Sequence, residues 1–348
     1  MMKNLKIIVL GYFILSGCTK QDIPVPDPIV ESCLDQALTN SVADSDEVWS
    51  WDNLPPLSPT NMPLPEFTEI GCGYTVPVFN PTNENQIAYK TKYCENERNG
   101  LRIHDFCTGE NRLIVEGEVG IIDWSTKDWL VFQSGTWGGK LLYKIKSNGD
   151  SLTQLNNSAG YMGSLNWSPD GSKFLNVGDY AGNRIIIRTS DGELVQDLNI
   201  SDCNGVDYQW LHDDIYYLCS NSYTLMLGKY NLSTQEHFEL IRYEVSDGIY
   251  PNIYNQLEVA PDGEELYVSG LPGVIACDLQ TGQYKEIIRT QGMSNYHGGV
   301  ALSPDGDYLV HVRTTYEKTG NLRGNSDSHL VMKKLDGSEE MYRLELPE

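Results

Sequence analysis

Asn166-Trp167-Ser168-Pro169-Asp170-Gly171-Ser172-Lys173-Phe174 joins one short apolar run to a second, Phe174-Leu175-Asn176-Val177, through a Ser-Pro-Asp-Gly turn. Proline presets φ for a turn, and Asp-Gly tolerates the positive φ that a tight hairpin demands. The same pattern recurs along the chain. Val259-Ala260-Pro261-Asp262-Gly263 and Leu302-Ser303-Pro304-Asp305-Gly306 are close copies. Looser copies are Trp124-Ser125-Thr126-Lys127-Asp128, Trp210-Leu211-His212-Asp213-Asp214 and Phe79-Asn80-Pro81-Thr82-Asn83. The anchors Phe79, Trp124, Trp167, Trp210, Val259 and Leu302 are 45, 43, 43, 49 and 43 residues apart. A period in the forties with strand-and-turn content means a propeller or a solenoid.

A second turn follows in every repeat, as at Cys107-Thr108-Gly109-Glu110, Ser190-Asp191-Gly192-Glu193 and Leu335-Asp336-Gly337-Ser338. Turns after the first and third of four strands make a propeller blade. The fold expected over residues 71–348 is therefore an all-β, six-bladed β-propeller of four-stranded blades. A composition of 21 Tyr, 32 Gly and 16 Pro agrees with an all-β chain.

Residues 1–17 read as a leader. Lys3 and Lys6 give it a positive start, and Ile7 to Leu15 an apolar stretch too short to span a bilayer. Leu15-Ser16-Gly17-Cys18 resembles the bacterial lipobox. That resemblance implies cleavage before Cys18, lipidation of its thiol and amine, and a membrane contact made by the lipid. Thr19, in place of the aspartate that retains many lipoproteins at the inner membrane, implies the outer membrane, with the periplasmic and surface-exposed sides both open. Residues 18–70 carry Ile23-Pro24-Val25-Pro26-Asp27-Pro28 and a second Pro-rich stretch, and read as a tether or arm. Trp49 and Trp51 within it suit an arm that packs in part on the main domain, the alternative being a loosely ordered arm.

The net charge of −23 makes the chain repel nucleic-acid phosphates and anionic lipid, which excludes nucleic-acid binding as its role. Trp-Ser-Pro-Asp-Gly followed by an aromatic-led strand, at this period, resembles the repeats of TolB and related WD-like bacterial propellers. The resemblance runs from Gly71 to Leu346 and implies a cell-envelope protein.

In a propeller, the starts of the innermost strands ring one mouth of the central channel, where partners usually bind, and the Pro-Asp-Gly turns lie at the far end. Along these strands Pro77, Ile122, Leu165, Tyr208, Leu257 and Val300 hold an apolar position, and polar residues alternate with them. Asp123, Asn166, Gln209 and Glu258 form one polar level, Ser164, Asp207 and Gln256 a second, and Tyr74, Tyr254 and His297 a third. Together with Tyr161, these residues are the candidates for ligand binding. The alternative is that they hydrogen-bond between blades and to buried water.

Oligogalacturonate lyases carry related repeats and hold a metal through histidines at the channel mouth. Here register brings only His297 to that ring, although Asp207, Glu258 and His297 could form a mixed site. Gly149-Asp150-Ser151-Leu152 spells a hydrolase motif but falls in a turn without a following helix, and no Gly-x-Ser-x-Gly or His-Glu-x-x-His occurs. The functional expectation is a lipid-anchored binding or scaffolding module for an envelope protein or glycan, with no cofactor and no metal. The alternative is a metal-dependent, lyase-like glycan enzyme. Eight cysteines fit an oxidising compartment. Hairpin register pairs Cys72 with Cys94 and Cys203 with Cys219 as expected disulfides.

Overall fold

The computed structural model describes residues 32–40, 42–43, 66–92, 99–135, 141–155, 164–177, 184–199, 205–220, 224–244, 254–270, 273–289, 295–318, 323–338 and 341–344. Each repeat folds as one blade of four antiparallel strands. In the first blade these are Glu66–Asn80, Asn83–Lys92, Gly100–Asp105 and Asn111–Glu116. The innermost strands of the next four blades are Val119–Trp124, Leu165–Trp167, Gly205–Leu211 and Tyr254–Val259. The sixth blade comprises Asn295–Leu302, Tyr308–Lys318, Arg323–Lys334 and Met341–Arg343. Every anchor is the last or second-last residue of an innermost strand, so the six-bladed reading of the repeat holds.

The turn chemistry explains why the copies are so alike. In the third blade Gly171 N donates to Ser168 O at 2.8 Å, Lys173 N to Ser168 Oγ at 3.0 Å, and Ser172 N to Asp170 Oδ1 at 3.0 Å. Hydrogen bonds from the Ser168 hydroxyl and from Ser172 hold the Asp170 carboxyl down at about 2. Gly171 has φ +61, and a Cβ there would lie 3.0 Å from Thr126 Oγ1 in the preceding blade. Glycine is thus required twice, for its backbone angle and for the close approach of neighbouring turns.

The hydrophobic core is divided into six wedges, each between adjacent blades, and each wedge holds one anchor. Trp124 packs with Leu101, Ile103 and Phe132 between the first and second blades. Trp167 packs with Val131, Leu142 and Phe174 between the second and third, and Trp210 with Ile187 and Tyr217 between the third and fourth. Val259 and Leu302 serve the next two wedges, and Phe79 the last. All six anchors are buried.

Closure of the ring between the sixth and first blades uses the N-terminal arm. A helix, Cys33–Asn40, places Leu34 and Leu38 in the wedge with Phe79, Tyr89, Tyr308 and Met332. Asp35 accepts hydrogen bonds from Tyr308 Oη and Lys334 Nζ, both at 2.7 Å, and a Cys33–Cys107 disulfide ties the helix to the first blade. The Asp35 carboxylate raises the Lys334 ammonium to about 12. Val42–Ala43 then pairs with Met341–Arg343 at the outer edge of the sixth blade. On that same edge of Arg323–Lys334, Glu66–Gly73 runs parallel to Arg323–Ser328, joining the first and sixth blades in one nine-stranded sheet. The arm thus packs on the main domain through this helix, whereas Trp49 and Trp51, like the leader and Cys18, lie outside the described residues. No helix among the described residues is long and apolar enough to cross a membrane.

The Cys33–Cys107 bridge is not one of the two expected disulfides. Cys219 is also disulfide-bonded, and Cys203 and Cys94 lie outside the described residues. Cys277 is buried as a free thiol, and desolvation raises it to about 12.

Candidate functional site

The residue before each anchor faces the propeller axis. This ring reads Val78, Asp123, Asn166, Gln209, Glu258 and Ala301 from the first blade to the sixth. Four consecutive blades therefore supply polar side chains, and the remaining two supply small apolar ones. A cavity of about 230 Å³ sits against this ring and is lined by residues of all six blades. Around it stand Ser125, Thr126, Ser168, Pro169, Pro261, Ser303 and Pro304, all belonging to the first turns.

The side chains of the mouth expected at the opposite end, Tyr74, Tyr254 and His297, lie outside the described residues; at this end the first turns frame the cavity. The reason is the nesting of each turn on its predecessor, seen where Gly171 meets Thr126 and where a Cβ on Gly263 would lie 3.2 Å from Leu211. Nested turns make a raised collar at the ends of the inner strands.

Part of the ring is structural. Asn166 Oδ1 accepts the Trp210 N–H at 2.7 Å, and Asp123 Oδ2 accepts the equivalent Trp167 N–H. One level deeper, Asp207 accepts Leu257 N–H at 2.9 Å and Ser164 Oγ–H at 2.7 Å. Each is a stitch from one inner strand to the next, so the interblade reading holds for these three residues. The rest of the level is not stitched in this way. Neither oxygen of Glu258 has a hydrogen-bond partner, nor has the amide of Gln209. Asn166 is only 7% exposed, and its Nδ2 makes no hydrogen bond. Gln256 Oε1, on the second level, is buried without a partner.

The electrostatics follow from three acids around one narrow space. Asp123, Asp207 and Glu258 are half-buried, and Asp123 and Glu258 line the cavity. Desolvation pushes Asp123 up to about 7 against the hydrogen bonds from the Trp167 and Trp124 backbone, with Asp207 adding repulsion. Desolvation raises Asp207 to about 6, opposed by Ser164 and Leu257. Glu258, with no hydrogen bond to oppose desolvation and with Asp123 and Asp207 repelling it, is raised well above the carboxylate range.

The third level behaves differently. A register shift interrupts the inner strands between Thr75 and Val78, Tyr254 and Gln256, and Gly298 and Val300. Tyr74, Tyr254 and His297 are consequently paired with Thr91, Gly270 and Arg313, in step with the anchors and out of step with the ring. Their side chains, and Tyr161 as a whole, lie outside the described residues, as does any metal site using His297. Among the described residues no three His, Cys, Asp or Glu side chains are grouped to hold a metal ion.

No protein-family model matches this chain, and no curated protein sequence does. Solved structures do match. TolB from Acinetobacter baumannii is similar with a TM-score of 0.55 at 15% identity, over 79% of this chain and 64% of that one. The chain therefore spans slightly less than two thirds of the length of that protein. A protein from Agrobacterium tumefaciens assigned as TolB gives 0.50 at 14% identity, over 78% of this chain and 88% of the other. An oligogalacturonate lyase in complex with manganese gives 0.48 at 13% identity, over 78% and 76%. These likenesses concern the fold, which is a TolB-like six-bladed propeller.

Proposed function

We propose that this chain is a cell-envelope binding module, held to the outer membrane by lipid on Cys18, which engages a partner protein through its axial cavity. One observation carries the reading: all six blades converge on a cavity whose wall holds polar groups that the fold leaves without partners. Small-molecule pockets typically measure about 300–1,000 Å³. At about 230 Å³ this cavity suits one side chain of an inserted segment better than a whole small ligand. The Cys33–Cys107 and Cys219 disulfides support an oxidising compartment, as the leader requires.

Photo-cross-linking tests the reading. A photoreactive residue at Thr126, exposed on the collar, should trap a discrete envelope partner, whereas one at Leu194, exposed on the outer strand Leu194–Asn199, should not. Equal trapping at both positions, or none at Thr126, would sink the reading.

A further inference from the structure

Two features of the axial ring make a chemical choice that the stitching of blades does not require. Asn166 and Asp123 occupy the same place in successive blades and each accepts the next anchor's N–H. An amide therefore suffices for the stitch, and the charge at Asp123 is surplus to it. Glu258 is surplus more plainly, since it accepts no hydrogen bond. The cavity lining contains no Lys, Arg or His that could neutralise either acid. The opposite arc, from the first and sixth blades, presents Val78, Phe79 and Leu302.

We propose that the axial cavity receives a single lysine or arginine side chain of the partner, its cationic head between Glu258 and Asp123 and its apolar stem against Val78, Phe79 and Leu302. This rests on the binding reading above and adds the chemistry of the inserted group. The unpaired Nδ2 of the buried Asn166 supplies a donor for an oxygen of the same inserted segment. A long basic side chain has the required form, an apolar stem ending in a charge. A bare metal ion does not, because it would leave the apolar arc unused. A sugar would leave the acids without a counter-charge.

The titratable groups facing the head are Asp123 and Glu258 on the ring and Asp207 one level below. Entry of the cation displaces the proton that the raised carboxyls otherwise hold, and that proton passes to the solvent. Binding therefore releases protons and strengthens as pH rises from about 5 to 8.

The test uses the mature protein with three probes: N-acetyl-lysine methylamide, N-acetyl-arginine methylamide and the uncharged N-acetyl-norleucine methylamide. Titration calorimetry in buffers of different ionisation enthalpy should show binding of the basic probes with proton release. Norleucine should bind at least about tenfold more weakly, and Glu258→Gln should cost the lysine probe at least about tenfold. Asp123→Asn, whose stitch Asn166 already reproduces, should weaken the probe without unfolding the protein. Equal binding of lysine and norleucine probes, an unchanged Kd in both variants, or binding of maltose in place of the basic probes would overturn the proposal. Partner cross-linking at Thr126 that persists in Glu258→Gln would remove the cation assignment alone, and its absence in the unaltered protein would remove the binding reading itself.

Discussion

Replacing Asp123 by asparagine should make the protein more stable at neutral and alkaline pH, an unusual outcome for an interior polar residue. The carboxyl sits at about 7 in the fold against an ordinary 3.8, chiefly because burial disfavours its charge. A raised acid favours the folded state while protonated, so its cost appears as pH climbs above the unfolded value and is complete once pH exceeds the folded one. A shift of about three units corresponds to about 4 kcal/mol; channel water screens the charge, and halving leaves about 2 kcal/mol near pH 8. Near pH 3, below both values, the two states carry a mostly protonated carboxyl and the difference should shrink towards zero. Denaturant titrations of both proteins across this range, with m-values compared, would measure the effect. The Asn166 stitch to Trp210 shows that an amide can keep the hydrogen bond the substitution must preserve. A variant less stable than its parent near pH 8, or one whose difference ignores pH, would refute the reasoning.

Two further outcomes follow from the seam and the blades. Cys33→Ser opens a covalent loop of 74 residues, and loop-closure entropy gives a loss of about 4 kcal/mol, read from the denaturation midpoint; an unchanged midpoint would show that the helix does not hold the ring. A Cβ at Gly228 would fall 2.4 Å from Tyr217 Cζ, because the glycine lies opposite that buried ring. Gly228→Ala should cost about 1–3 kcal/mol, and the smaller ring-free partner in Gly228→Ala/Tyr217→Leu should recover part of it.

The blades were legible because their signals are local. Trp167 and its copies are apolar, sit before turns that few sequences can make, and recur every 43 to 49 residues, and each fills its own wedge. The ring Asp123, Asn166, Gln209 and Glu258 was legible too, since alternation over two or three residues needs no tertiary information. At His297 and Tyr254, whose side chains lie outside the described residues, alternation alone does not set the register, because a one-residue shift there depends on the neighbouring strand. The helix Cys33–Asn40 escaped because eight residues cannot hold a helix in water without a packing partner. Leu34, Ala37 and Leu38 at helical spacing were its trace. The Cys33–Cys107 bridge then escaped as well, for only the docked helix brings its ends together.

That helix also sets an order of events. Asp35 binds Tyr308 and Lys334, 273 and 299 residues further along the chain. The first segment of the fold can meet Phe79, Tyr89 and Cys107 of the first blade early, but the other half of its seat waits for almost the last segment. During synthesis or export the ring stays open at this seam until the sixth blade has emerged, so the apolar faces of Leu34 and Phe79 remain uncovered longest. A chaperone guarding this chain would be needed most at its beginning.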